Sequence, residues 1–135
     1  MPLREREVVT AVKQWLESAG FQIAEKPTIR GFDIDATHPA TGERWIIEAK
    51  GGAGSGKDPS NTAFQRVATA FLSTASWSND SRYTACNIAM AVPRSKYFDT
   101  HVGKIAATLS TLGVSLIQVT DDGVVQPTKN PRATP

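Results

Sequence analysis

Gly31-Phe32-Asp33-Ile34-Asp35-Ala36 and Trp45-Ile46-Ile47-Glu48-Ala49-Lys50 are the two stretches that decide the fold of this chain. Both have the apolar and β-branched content of a strand, and a turn sequence at 38–42 separates them. Residues two apart on a strand point to the same face of a sheet. The two aspartates of the first stretch therefore share a face, and so do the glutamate and the lysine of the second. Paired as a hairpin, the strands would bring up to three carboxylates and one ammonium into a small volume.

These charged side chains need a chemical reason, because unpaired charges on strands this apolar would be costly. A carboxylate cluster beside a lysine suits a hard divalent cation and a negatively charged substrate. Magnesium needs only one or two carboxylates, so Glu48 and either Asp33 or Asp35 could hold it. Lys50 would then stabilise charge that develops on a phosphate.

The order of these residues resembles the PD-(D/E)xK nuclease superfamily, which has the restriction-endonuclease-like fold. That family places an acidic residue on one strand and Glu-x-Lys on the next, and here Asp33-Ile34 and Glu48-Ala49-Lys50 occupy those positions. As in the small Holliday-junction resolvases, the first helix ends in Gly-Phe, at Gly20-Phe21, before a strand. The similarity covers roughly residues 1–72. It departs from the family pattern at Phe32, where a proline would precede the acid, and in the long glycine-rich loop that follows the lysine.

The resemblance implies a magnesium- or manganese-dependent endonuclease that hydrolyses DNA phosphodiester bonds with structure selectivity or weak sequence specificity. It implies Asp33 and Glu48 as metal ligands and Lys50 as a catalytic residue. The family's acid directly precedes the apolar residue, which favours the first of the two aspartates. Some family members also bring a glutamate of the first helix and a glutamine of the second near the metal, and the corresponding candidates are Glu5 and Gln65.

The resemblance to this nuclease family implies DNA as the partner. Basic side chains near the site would contact phosphates and position a duplex without reading its sequence. The candidates are Arg30, Lys57, Arg66, Arg94 and Lys96. The sequence contains no recognition helix or zinc finger, which favours a specificity-supplying protein partner. A homodimer is the other expected partner, since cutting two strands by one chemistry needs two sites.

Two alternatives remain open. Gly51–Asp58 is similar to the phosphate-binding loop G-x-x-x-x-G-K-[ST] and lies between a strand and a helix. However, Asp58 replaces the hydroxyl that would bind magnesium, and Pro59 and Ser60 are expected to delay the helix that would cradle a phosphate. A P-loop-like nucleotide hydrolase is therefore the remote alternative. The nearer one is a non-catalytic DNA-binding or protein-interaction module of the same fold.

The hydrophobic pattern predicts the element order αβββαβαβ. It predicts a three-layer α/β/α sandwich around a central mixed five-stranded sheet. The restriction-endonuclease-like fold has the same order of helices and strands. The second helix is expected to be capped by Asn61, with the third running from Phe98 to Leu112. The predicted apolar stripe of the second helix is Phe64, Val67, Ala68, Phe71, Leu72 and Ala75. The predicted strands are 21–25, 29–37, 44–50, 83–92 and 114–119.

The 135 residues suit one domain, which we place at 1–125, followed by a disordered tail at 126–135 with three prolines. A net charge of +2 is too small to indicate a partner. A single cysteine, Cys86, excludes an intramolecular disulfide. No signal peptide and no apolar run of membrane-spanning length is present, so the expected location is cytoplasmic, with no membrane partner.

Overall fold

The computed structural model describes residues 2–25, 32–52 and 58–132. The helices within them are α1 (Glu5–Ser18), α2 (Pro59–Ser78), α3 (Lys96–Gly103) and α4 (Ala106–Leu112), with a 3-10 turn at Ser81–Tyr83. The strands are β1 (Gln22–Ile23), β2 (Ile34–Thr37), β3 (Arg44–Ala49), β4 (Asn87–Pro93), β5 (Val114–Val119) and β6 (Val125–Pro127).

The six strands form one mixed sheet in the order β1-β2-β3-β4-β5-β6. β1, β2 and β3 form an antiparallel meander, β3, β4 and β5 run parallel, and β6 returns antiparallel to β5. A parallel pair needs a crossover, and α2 supplies it between β3 and β4 while α3 and α4 supply it between β4 and β5. The α/β class and the mixed sheet are confirmed. The expected count of five strands is wrong, because Val125–Pro127 adds a sixth at the edge.

The core divides into two clusters, and β3 contributes to both. Trp45 and Ile47 pack with α1, whereas Ile46 packs with α2, α3 and α4. Alternate residues of a strand face opposite sides, so the two clusters lie on opposite faces of the sheet. The α1 side chains that are fully buried in this way are Val8, Val12 and Leu16. β3 is therefore a central strand that is covered on both faces.

The start of α2 differs from the prediction. Asp58, not Asn61, is the N-cap, and its carboxylate accepts hydrogen bonds from the backbone N of Ser60 at 3.0 Å and of Asn61 at 3.3 Å. Pro59 occupies the first helical position, where its fixed φ is favourable and its missing N–H costs nothing. The expectation that Pro59 and Ser60 delay this helix is therefore wrong.

The buried face of α2 also differs from the predicted stripe. The residues that it buries are small or short, namely Ala63, Val67, Ala70 and Thr74. Phe64 and Leu72, which the stripe placed in the core, are 52% and 71% exposed. Small side chains allow a helix to lie close to a sheet. The predicted stripe included the larger apolar side chains, so it is displaced by about one residue around the helix from the face that is buried.

The predicted third helix is divided in two. Lys104 N donates to His101 O at 3.1 Å, and Ile105 N donates to Val102 O at 3.0 Å. These hydrogen bonds span three residues, as in a 3-10 turn, and interrupt the α-helical pattern at this point. α4 then starts at Ala106, after Ile105, whose φ of −122° is not helical.

Residues 126–132, expected in a disordered tail, follow a defined path. Gln126 and Pro127 pair with β5, and Thr128 N donates to Leu116 O at 2.9 Å. Further along, Arg132 N donates to the Glu43 carboxylate at 3.0 Å. The fold therefore continues past the predicted boundary at residue 125.

None of the helices within the described ranges is long and apolar enough to cross a membrane.

Candidate active site

Asp33 and Glu48 meet across the β2–β3 hairpin. The paired register ends at Ile34 and Ile47, and Asp33 directly precedes it, close enough to Glu48 for its negative charge to raise the pKa of that carboxyl. The Asp33 backbone N donates to Ile47 O at 3.0 Å, and its side-chain Oδ2 accepts from Ala49 N at 2.8 Å. The backbone of β3 therefore holds Asp33 at two points, so its carboxylate has little freedom to turn away from Glu48.

Glu48 lies within β3 and is only 7% exposed. Burial, followed by the negative charge of Asp33, raises the pKa of Glu48 to about 7, while nearby Lys50 acts in the opposite direction. Two carboxylates this close resist joint ionisation, because each destabilises the negative charge of the other. The pair therefore has an excess of negative charge that a cation would relieve.

Lys50 directly follows β3 and contacts Glu48. Its Nζ lies 3.3 Å from Glu48 Oε2, and its backbone N donates to Ala91 O at 2.9 Å, which fixes it to β4. The Lys50 side chain remains one-fifth exposed. A lysine in this position can neutralise part of the charge of Glu48 and still reach a bound anion.

Gly51 brings the start of α1 against the end of β3. A Cβ at Gly51 would lie 2.0 Å from Glu5 N and 2.3 Å from the carbonyl carbon of Arg4. The next residue, Gly52, donates its N–H to Leu3 O at 2.8 Å. The backbone approach is possible only without a side chain at position 51, and it places the half-buried Glu5 close to the end of the strand that carries Glu48.

Glu5 does not complete a three-ligand metal centre. Across residues 2–25, 32–52 and 58–132, no group of three or more His, Cys, Asp or Glu side chains is placed to hold a metal ion. The candidate ligands that the structure brings together are therefore the two carboxylates of Asp33 and Glu48.

Asp35 has a different partner. Arg44 donates to both of its carboxylate oxygens, from Nε at 2.9 Å and from Nη2 at 2.8 Å, and this bond to Asp35 raises the pKa of Arg44. A bidentate pair of this kind is strong and directional. Of the two aspartates left open by the sequence, Asp35 is neutralised by arginine and Asp33 faces Glu48. Sequence reasoning missed Arg44, although its place two residues before Ile46 puts it on the same face of the hairpin as Asp35.

The other predicted residues are scattered around this pair. Arg66 is the one that reaches the end of β3, where its Nη1 donates to Gly51 O at 3.3 Å. Gln65, its neighbour on α2, is exposed. Lys57 and Arg30 lie outside the described residues.

Arg94 and Lys96 follow β4 at the same end of the sheet as Lys50, because β3 and β4 are parallel. Arg94 Nε lies 3.5 Å from Asp99 Oδ2, and the Nζ of Lys96 lies 5.0 Å from the ring centre of Tyr97. Both side chains are exposed, so they lie at the rim and not inside the site.

Comparison with known proteins adds no relative: no protein-family model matches the chain, and searches of curated proteins and of solved structures find no match. Any functional conclusion therefore depends on the geometry around Asp33, Glu48 and Lys50.

Proposed function

We propose that this chain is a metal-dependent DNA endonuclease of the PD-(D/E)xK type. The observation that carries the proposal is the closeness of Asp33 to Glu48, with Lys50 Nζ 3.3 Å from Glu48 Oε2. This arrangement would hold a metal site and a cation for the substrate side by side at one end of the β2–β3 hairpin. The proposed substrate is DNA, cleaved with structure selectivity or weak sequence specificity.

The donor set fits magnesium or manganese. Both ions prefer carboxylate oxygens and water, and magnesium in particular retains several waters, so two carboxylates are sufficient. Asp33 uses Oδ2 to accept from Ala49 N, which leaves Oδ1 as its ligand atom. The pKa of about 7 at Glu48 supports the fit, because a divalent cation favours the ionised form of both carboxylates.

Bound at these carboxylates, the ion would polarise the phosphate and lower the pKa of an attacking water. Lys50 would turn from Glu48 to the phosphate and place positive charge where the transition state develops negative charge. The hydrogen bond from Ala49 N and the burial of Glu48 keep both ligands oriented before the substrate arrives.

The fold is consistent with this assignment. α1 packs on one face of the sheet, and α2, α3 and α4 pack on the other, as a three-layer α/β/α sandwich requires. We take β1 to β5 as the five-stranded core of a restriction-endonuclease-like fold and β6 as an addition at its edge. Arg66 at the end of β3 is the best placed of the candidate phosphate contacts.

A nucleotide-binding role has less support. The N–H groups at the start of α2 that would bind a phosphate are occupied by the Asp58 carboxylate, which also brings negative charge to that position. We therefore expect the purified protein to bind neither ATP nor GTP.

The test is a cleavage panel of supercoiled plasmid, linear duplex, nicked, flapped and four-way DNA, with magnesium or manganese and with chelator. The nuclease is expected to cut at least one substrate only when metal is present. The matched variant Asp33→Asn, which keeps an oxygen acceptor for Ala49 N, should not cut. Metal-independent DNA binding by the wild type without cleavage of any substrate would instead favour the non-catalytic module.

A further inference from the structure

Phe32 directly precedes Asp33 and is buried in the core between the sheet and α2. Its side chain is 4% exposed and belongs to the cluster that also contains Ile46 and residues of α2, α3 and α4. This is the position at which the sequence departs from the family pattern. The paired register of β2 begins at Ile34 and does not include Phe32. Contacts outside the sheet therefore hold the chain where it enters the hairpin at Asp33.

Two aromatic rings from other elements contact the ring of Phe32. The ring of Trp77, near the end of α2, has its centre 4.7 Å away and is inclined at 88°. The ring of Tyr83, in the 3-10 turn, has its centre 5.3 Å away and is inclined at 77°. Both are edge-to-face arrangements, which aromatic pairs prefer and which add to the free energy of burial. The ring of Phe32 is therefore held in one place from two directions.

Trp77 and Tyr83 are themselves connected through Asp80. The backbone N of Asp80 donates to Trp77 O at 3.0 Å, and the backbone N of Tyr83 donates to Asp80 O at 3.0 Å. The Asp80 carboxylate pairs with Arg82, whose guanidinium carbon lies 5.3 Å from the centre of the Tyr83 ring. The two rings that contact Phe32 thus belong to one hydrogen-bonded turn, which makes them a stable anchor.

The adjacent residue, Asp33, has a geometry that tolerates little displacement. Its Oδ2 accepts from Ala49 N at 2.8 Å, and its backbone N donates to Ile47 O at 3.0 Å. A shift of about 1 Å would take the first of these contacts beyond hydrogen-bond distance. Because Phe32 and Asp33 share a peptide bond, any displacement of the Phe32 ring is transmitted directly to this carboxylate.

We propose that Phe32 is a positioning residue for Asp33. Its ring, anchored by Trp77 and Tyr83, holds the backbone at the point from which the Asp33 carboxylate reaches Ala49 N and stays beside Glu48. Functional side chains need supporting residues whose own rotamers are locked by packing, and this aromatic contact provides one. The consequence for metal binding rests on the proposed function, whereas the position of Asp33 is a property of the metal-free protein.

The first test is amide hydrogen exchange of the metal-free full chain, followed by NMR. The Ala49 amide donates to the Asp33 carboxylate, and the next amide, Lys50, donates to Ala91 O on β4. The ratio of the two exchange rates therefore reports on Asp33 and not on general stability. Phe32→Leu should raise the ratio of Ala49 to Lys50 exchange by roughly 10-fold, the scale of one hydrogen bond to a charged group.

Trp77→Leu is the second variant and should raise the same ratio, although it lies 44 positions after Asp33 and outside the sheet. Phe98→Leu is the matched control. Phe98 is 1% exposed in the same core cluster, but its ring is not one of those that contact Phe32. Loss of this ring should change both amides alike and leave the ratio at the wild-type value. An unchanged ratio in Phe32→Leu, or an equal rise in Phe98→Leu, would overturn the proposal.

Calorimetric titration with magnesium or manganese is the second measurement. Phe32→Leu should bind the ion about 10-fold or more weakly, as expected when a partner that orients a ligand is lost. Phe98→Leu should bind like the wild type. Wild-type affinity in Phe32→Leu would also overturn the positioning role. Failure of the wild type to bind metal would instead overturn the proposed function alone, because the exchange ratio is measured without metal.

Discussion

The Asp33 carboxylate is hydrogen-bonded to the backbone N of Ala49 at 2.8 Å, and Ala49 is the residue between Glu48 and Lys50. This one bond connects the acid of β2 to the Glu-x-Lys segment of β3. It gives Asp33 a fixed orientation. Asp35, two residues along the same strand, is instead paired with Arg44.

The first prediction separates these two aspartates. Asp33→Asn should weaken magnesium or manganese binding by more than about 10-fold, since even the loss of an outer-sphere partner costs that much. Asp35→Asn should bind metal like the wild type and lose about 1 kcal/mol of unfolding free energy, because it weakens a partly exposed ion pair. Calorimetric titration and urea denaturation of both variants give the comparison. Normal metal binding by Asp33→Asn with loss in Asp35→Asn would show that the wrong aspartate has been chosen.

The second prediction concerns Lys50. Lys50→Ala should retain metal and DNA binding but cleave roughly 100-fold or more slowly, which is the scale for removing one preorganised donor in a transition state. Lys104→Ala, at an exposed lysine outside the site, serves as the matched control and should cleave at the wild-type rate. Single-turnover cleavage with saturating metal separates the chemical step from binding. Undiminished cleavage by Lys50→Ala would remove this residue from the mechanism.

The third prediction is a pH dependence of the metal-free protein. The pKa of Glu48 is raised to about 7 in the folded state from 4.5, so the folded state binds more protons than the unfolded state between these values. The contribution of Glu48 to stability is therefore complete at low pH and is lost as the pH rises through about 7. Glu48→Gln stays neutral, so we expect it to be more stable than the wild type above that range, by roughly 1–3 kcal/mol. Urea denaturation at several pH values measures this difference.

Metal binding provides an independent check on the same group. Because the cation requires the ionised carboxylate, metal affinity should increase as the pH rises through about 7, with release of a proton at lower pH. Calorimetry in buffers of different ionisation enthalpy reports the number of protons released. Binding that is unaffected by pH across this range would mean that Glu48 is not a ligand.

The fourth prediction concerns the contact between Gly51 and α1. Gly51→Ala should destabilise the protein by about 2 kcal/mol or more, because its Cβ would meet the backbone of Arg4 and Glu5 at 2.0–2.3 Å. Gly103→Ala is the matched control, since a Cβ there meets nothing within 4 Å. That substitution in α3 should be neutral or stabilising by up to about 1 kcal/mol. Equal stability of the two variants would contradict the close packing of α1 on the end of β3.

The hairpin of β2 and β3 was predictable because its pattern is local. Side chains alternate with a period of two, so the common facing of Glu48 and Lys50 follows from their spacing alone, and it brings Lys50 Nζ to 3.3 Å from Glu48 Oε2. The buried stripe of α1 is also a local pattern, since Val8, Val12 and Leu16 recur at helical spacing. These elements also set the order of the meander and the α/β class.

The tertiary structure decided which of several locally equivalent residues are used. Spacing alone does not separate Asp33 from Asp35, whereas the structure pairs Arg44 with Asp35 and leaves Asp33 beside Glu48. α2 has two faces apolar enough to be buried. The face with the smaller side chains lies on the sheet, because small side chains allow closer packing. The necessity of glycine at position 51 depends on Glu5, 46 positions earlier in the chain, and the added strand β6 depends on pairing with β5. In each case the deciding contact joins residues far apart in sequence, which no local periodicity records.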